Sequence, residues 1–199
     1  METPLPIARP GDVCILVEPL PAQVPQLRRL QQQLQVRYGG QPQEPIHFTC
    51  QRFALPDASA LPMIACRLQE VVATMPSITV RADHVELVEH PFWEFCVLRW
   101  ELQLDRQMYR LAREVATALE RSGMTPHYPT RDGWLPHVTA LGHIPVSHGF
   151  SVNGEHRGQL LYRGGRLVLS QVQEGKRFEI LAKIDMEGTQ SHLRTATRS

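Results

Sequence analysis

The chain has 199 residues, of which 42% are hydrophobic, 21% charged and 7% aromatic, and its 21 Lys+Arg against 20 Asp+Glu give a formal charge of +1. This is the composition of a globular protein that buries a core, and the charge balance argues against a broad basic face that coats long duplexes while leaving short charged ligands open. No apolar run approaches the roughly 20 residues of a bilayer span, and the first twelve residues lack the apolar stretch of a signal peptide, so no membrane contact and a cytoplasmic location are expected.

An apolar strand is expected over Val13 to Val17, followed by a helix opened by Pro21, with Leu27, Leu30, Leu34 and Tyr38 on one face and Gly39-Gly40 as its stop. The β-branched and aromatic run Ile46 to Leu55 predicts a second strand, and Asp57 offers an N-cap for a helix carrying Leu61, Ile64, Leu68, Val71, Val72 and Met75. Two strands follow at Ile78 to Val88 and Phe95 to Leu104, with a turn at His90-Pro91 and Cys96, Leu98, Trp100, Leu102 and Leu104 along one face. Asp105 caps a third helix with the stripe Met108, Leu111, Ala112, Val115, Ala118 and Leu119, closed by Ser122-Gly123.

A loop then leads to a strand over His137 to Ile144, a long connection, and a hairpin of Arg166 to Val172 and Arg177 to Met186 around Glu174-Gly175; the polar tail from Thr189 is expected to fray. Strand and helix alternate in residues 13 to 88, and 95 to 144 partly echo that order, as in a diverged duplication. The expected fold is therefore a single α+β domain spanning 1–199, with two similar lobes, each an antiparallel sheet flanked by helices, packed around a central cleft.

Several chemistries lack their sequence support. Cys14, Cys50, Cys66 and Cys96 form no C-x-x-C pair and read as reduced core residues, and there is no P-loop, G-x-G-x-x-G or G-x-S-x-G element. The positive signal is a repeated tripeptide. His47-Phe48-Thr49 and His137-Val138-Thr139 each follow a helix and a proline, 90 residues apart. Chance alone predicts about half an H-x-T match in a chain of this composition, so the equivalent placement of the two carries the weight.

His and Thr at i and i+2 of a strand point to one face, so two facing lobes would present two imidazoles and two hydroxyls to one cleft. That set suits phosphodiester chemistry without a metal: a neutral His takes a proton from the attacking oxygen, an imidazolium protonates the leaving oxygen, and the hydroxyls hydrogen-bond the phosphate oxygens. No metal or cofactor is called for by any ligand-like spacing among the remaining His84, His90, His127, His143, His148, His156 and His192.

On these residues the sequence resembles the 2H phosphoesterase superfamily, and within it the 2′-5′ RNA ligase-like (RNA 2′,3′-cyclic phosphodiesterase) branch. The two H-x-[TS]-x motifs are matched by His47-Phe48-Thr49-Cys50 and His137-Val138-Thr139-Ala140, and Leu167–Ser170 with Phe178–Leu181 look like the family's closing hairpin. The resemblance implies His47, His137, Thr49 and Thr139 as catalytic residues. It also implies RNA termini or cyclic-phosphate nucleotides as the substrate class, hydrolysis of 2′,3′-cyclic phosphates to 2′-phosphates, and reversible 2′-5′ ligation.

One departure is visible. Many bacterial members carry an arginine five residues past the second His, where this chain has Gly142; the equivalent place after the first His holds Arg52. Arg52 is thus a candidate phosphate ligand, although strict strand alternation points it away from His47 and only a bulge or strand end would turn it back. Trp134 and Tyr128 precede the second motif and are candidates to stack on a base, with core packing as the competing role. Arg131 in the same loop is a solvated arginine or a phosphate contact. A monomer is expected, and the rival reading is a non-catalytic RNA-end or nucleotide-binding protein that keeps the cleft.

Overall fold

In the computed structural model, which describes residues 8–89, 95–128, 134–145, 156–174 and 178–186, the chain is α+β. It runs β1 (Asp12–Pro19), α1 (Val24–Tyr38), β2 (Gln41–Pro42), β3 (Phe48–Ala54), α2 (Leu61–Thr74), β4 (Ile78–Glu89), β5 (Phe95–Leu102), α3 (Arg106–Arg121), β6 (His137–Pro145), β7 (Leu160–Val172) and β8 (Phe178–Asp185). The expected turns at His90-Pro91 and Gly175, the tail from Thr189, and Arg131, His148 and His192 lie outside the described residues.

Every strand pairing is antiparallel, in the order β1-β3-β6-β5-β4-β7-β8, with β2 on β6. Because β1 also pairs with β7, the path from β1 through β3, β6, β5 and β4 to β7 closes on itself. Two half-sheets result, β8–β7–β1–β3 and β7–β4–β5–β6–β2. They share β7, whose beginning pairs with β4 and whose remainder pairs with β1. The lobes are therefore parts of one closed strand path rather than separate sheets.

The handover falls at Gly164-Gly165, where β4 and β1 crowd in together. A Cβ on Gly164 would lie 2.8 Å from both Ile78 Cγ1 and Val17 Cγ1, and one on Gly165 would collide with the Leu20 side chain. Only a residue without a side chain fits such an approach.

One face of this sheet is covered by the helices. Val13, Ile15 and Val17 of β1, Leu98 and Trp100 of β5, and Val138 and Ala140 of β6 pack with Leu27 and Leu34 of α1, Leu68 of α2 and Leu111 and Val115 of α3. Each Val, Leu or Ile among them contributes about 1.5–3 kcal/mol relative to exposure. On the other face Cys14, Leu16, Val168 and Val172 form a small separate cluster with Phe178 against it.

The helices begin and end where local chemistry dictates. Met108 N–H donates to Asp105 Oδ1 at 2.8 Å and opens α3, and all six residues of its expected stripe are buried. Asp57 caps a 3₁₀ turn at Ala58–Ala60 that precedes α2, rather than α2 itself. β7 begins at Leu160, six residues before the expected start, because its first part belongs to the second half-sheet. The four thiols are free, but Cys66 is exposed, contrary to the expectation of a core residue; it falls outside the Ile64–Leu68–Val72 stripe of α2. Among the described residues, no helix is long and apolar enough to cross a membrane.

Candidate active site

β3 and β6 are paired in register at one position, Phe48 opposite Val138, the central residues of the two H-x-T elements. In antiparallel register that pair sets His47 across from Thr139 and Thr49 across from His137. Phe48 and Val138 are fully buried on the helix-covered face. Alternation then turns all four motif side chains to the opposite face, where each is half-buried. A two-fold relation between the lobes passes through the Phe48–Val138 pair, and it brings the predicted His47, His137, Thr49 and Thr139 together.

The two imidazoles are held alike. His47 Nδ1 lies 2.7 Å from the Pro45 carbonyl, and His137 Nδ1 lies 3.4 Å from the Leu135 carbonyl, in each case two residues back. A carbonyl only accepts, so Nδ1 carries the proton when the ring is neutral and Nε2 keeps its lone pair. Burial pushes the His47 pKa down, opposed by the Pro45 hydrogen bond. Burial and then the Arg99 charge push His137 down to about 4, with His47 adding to the effect and the Leu135 hydrogen bond and Glu86 opposing it. Without a ligand both rings are therefore neutral near pH 7. The ring of Phe178 stands edge-on to His47, with centroids 5.3 Å apart.

The bulge that Arg52 needs is present. β1 pairs Cys14 with Arg52 and Leu16 with Thr49, and the register shifts between Ile15 and Leu16, so three steps on β3 match two on β1. Arg52 thereby shares a face with Thr49. It is nonetheless sunk in the protein: its side chain is 2% exposed, Nε lies 3.6 Å from Asp12 Oδ2, and the guanidinium carbon sits 5.3 Å from the centre of the Tyr128 ring. Tyr128 is half-buried and is fixed by Gln51, whose Nε2 donates to the Tyr128 carbonyl at 3.0 Å and whose Oε1 accepts its N–H at 2.8 Å. Trp134 is 2% exposed and packs against Phe48 and Tyr109. It supports the first motif from the core, so the base-stacking role at the rim does not match its position.

Residues the motif search missed lie on β5 and β4. Glu101 pairs with His137 and Arg99 with Thr139, and β4 adds His84 beside Glu101 and Glu86 beside Arg99. Directly opposed residues share a face, so these side chains continue the motif face across the second half-sheet. Arg99 Nη2 donates to Glu86 Oε2 at 2.9 Å, and its Nε lies against Glu101 Oε1. Burial raises the Glu101 carboxyl to about 7, countered by Arg99 and reinforced by a hydrogen bond that the protonated Glu101 donates to Glu86. The sequence signal was the alternation of Arg99 and Glu101 with Leu98, Trp100 and Leu102, which marks a polar strand face. Among the described residues no group of three His, Cys, Asp or Glu is arranged to hold a metal ion.

No family model matches the sequence, and no curated protein does. Solved structures share the fold. LigT from E. coli, in a complex with 3′-AMP, superposes with a TM-score of 0.61 at 16% identity over 90% of this chain and 99% of that one. TT0787 of Thermus thermophilus gives 0.61 at 17% identity, over 90% of this chain and 100% of that one. The PDE domain of MHV ns2 gives 0.55 at 19% identity, over 81% of this chain and 99% of that one. The strand path that brings the two H-x-T elements together is thus a fold this chain shares with LigT, TT0787 and the MHV ns2 PDE domain.

Proposed function

We propose that this chain is a 2H phosphoesterase that hydrolyses 2′,3′-cyclic phosphate ends of RNA or nucleotides to 2′-phosphates, with His47 and His137 as acid and base. The observation that supports the reading is the Phe48–Val138 register pair, from which strand alternation turns both His–Thr pairs to one sheet face. The shared fold and the nucleotide complex of LigT support it.

In hydrolysis one neutral imidazole takes a proton from water through Nε2 as the water oxygen bonds to phosphorus. The bond from phosphorus to the 3′-oxygen breaks, and the other imidazole, protonated at Nε2, gives its proton to that oxygen. The product is a 2′-phosphomonoester and a free 3′-hydroxyl, and the two rings end in exchanged protonation states. Thr49 and Thr139 donate hydrogen bonds to the non-bridging oxygens, where charge redistributes in the transition state. With a ribose 5′-hydroxyl in place of water, the same attack on the cyclic phosphate breaks the bond to the 3′-oxygen and forms a 2′-5′ linkage.

Incubation of the intact protein with adenosine 2′,3′-cyclic monophosphate, followed by ³¹P NMR, tests this. The expected product is adenosine 2′-monophosphate alone. Saturable binding without any product would identify a nucleotide-binding protein that keeps the cleft, and formation of the 3′-isomer would reverse the assignment of the leaving oxygen.

A further inference from the structure

The cation that faces the phosphate is expected at Arg52 from the motif pattern, but the geometry points elsewhere. We propose that Arg99 on β5 is the anion-binding residue of this site, donating to a non-bridging oxygen of the phosphate held between the two motifs; this rests on the phosphoesterase reading and adds a residue outside either motif.

Three observations carry it. Arg99 stands directly opposite Thr139, so its side chain leaves the same sheet face one strand away from a motif hydroxyl, well within the reach of an arginine. Its side chain is 23% exposed, whereas that of Arg52 is 2% exposed and lies by Asp12. Finally, the guanidinium is already oriented. Glu86 takes Nη2 at 2.9 Å and Nε at 3.3 Å, Glu101 lies against Nε, and among the described residues Nη1 makes no hydrogen bond. A planar fork clamped along one edge presents the other edge to an incoming oxyanion with little further loss of side-chain freedom.

The carboxylates hold the guanidinium by Nε and Nη2 and do not occupy its Nη1 edge. The Glu101 carboxyl, raised to about 7 by burial, is protonated for much of the time near neutrality and is hydrogen-bonded to Glu86. Arg99 with a singly protonated Glu86–Glu101 pair is close to neutral overall, and the Nη1 edge keeps its donors. Among the described residues, two further cations of the first half-sheet are engaged in ion pairs: Arg166 Nε with Asp185 at 2.7 Å and Lys183 with Glu18 at 3.7 Å.

The test titrates the intact protein, labelled with ¹⁵N-arginine, with inorganic phosphate and with adenosine 2′-monophosphate, and repeats the titrations on Arg99→Gln, Arg99→Lys and Arg52→Lys. The expected result is a saturable shift of the Arg99 side-chain signals, at least a tenfold rise in Kd in Arg99→Gln, roughly the loss of one charge-assisted hydrogen bond, and a smaller rise in Arg99→Lys. Arg52→Lys should change Kd by no more than about twofold, in keeping with a structural arginine. Unmoved Arg99 signals in the intact protein, an unchanged Kd in Arg99→Gln, or no phosphate binding at all would overturn the proposal, and the first readout stands even if a variant fails to fold. A protein that binds phosphate through Arg99 but releases no product from the cyclic nucleotide would sink the hydrolase reading and leave this one standing.

Discussion

Phe48 and Val138 face each other at the one register position that pairs β3 with β6, and both are fully buried. Their register decides which side chains face each other across the site. Because side chains alternate with a period of two, a slip of one residue in either strand would send one His–Thr pair into the helix-covered core and leave the other alone. The core packing of Phe48 against Trp134 therefore works for the site as well as for stability.

Thr49→Val and Thr139→Val preserve shape and remove a donor. Each is expected to lower kcat by roughly 10²-fold, as for the loss of one preorganised donor, without displacing the limbs of the pH profile, since a hydroxyl does not titrate there. Steady-state rates across pH check this, and an unchanged kcat in either variant would take that hydroxyl out of the site.

The pH dependence follows from the direction of the two histidine shifts. Both folded-state values lie below the ordinary 6.5, that of His137 at about 4. One ring must be neutral and one protonated in the free protein, so kcat/KM should trace a bell peaking on the acid side of 6.5, its limbs belonging to the coupled pair. Bound phosphate favours imidazolium, so the kcat profile should lie at higher pH than that of kcat/KM. The unfolded chain takes up protons on these rings as pH falls from about 6.5 towards 4, so the urea midpoint should drop over the same window. A rate that climbs steadily into alkali, with chemistry limiting, would contradict the two-histidine scheme.

In the proposed mechanism two imidazoles supply both proton transfers, and the hydroxyls with Arg99 take up the phosphate charge. EDTA should therefore leave turnover unchanged. Loss of activity on chelation, restored by a divalent ion, would require a Lewis acid that the account does not contain.

Gly165→Ala tests the handover of β7 between the half-sheets. The added methyl runs into Leu20, and overpacking of this kind costs about 1–3 kcal/mol, read as a lower urea midpoint or Tm. Stability equal to that of the parent would mean that the junction is looser than its contacts indicate.

Apart from β2 and the first part of β7, the strands, the three helices and the repeated His–Thr elements were legible in the sequence because they depend on local periodicity and on a repeated tripeptide. Closure through β7 did not show, since pairing of one strand with both β4 and β1 is a long-range property. Arg52 was half legible: alternation turned it away from the site, and the register shift opposite Ile15 turns it back, but its burial by Asp12 and Tyr128 depends on packing. Trp134 sits in a loop without a periodic pattern, so nothing local distinguished core from rim. Arg99 and Glu101 carried the visible mark of a polar strand face, yet their meaning depends on β5 lying beside β6.

The central claim is that His47 and His137 act on one phosphate, and the most direct measurement is the rate of cyclic-nucleotide hydrolysis in His47→Ala, His137→Ala and the double variant, with folding confirmed by circular dichroism. Each single variant should lose at least about 10²-fold in kcat, and the double variant should lose far less than the product of the two, because the rings work as a unit. Full turnover in either single variant, or strictly multiplicative losses in the double, would contradict a shared acid–base pair.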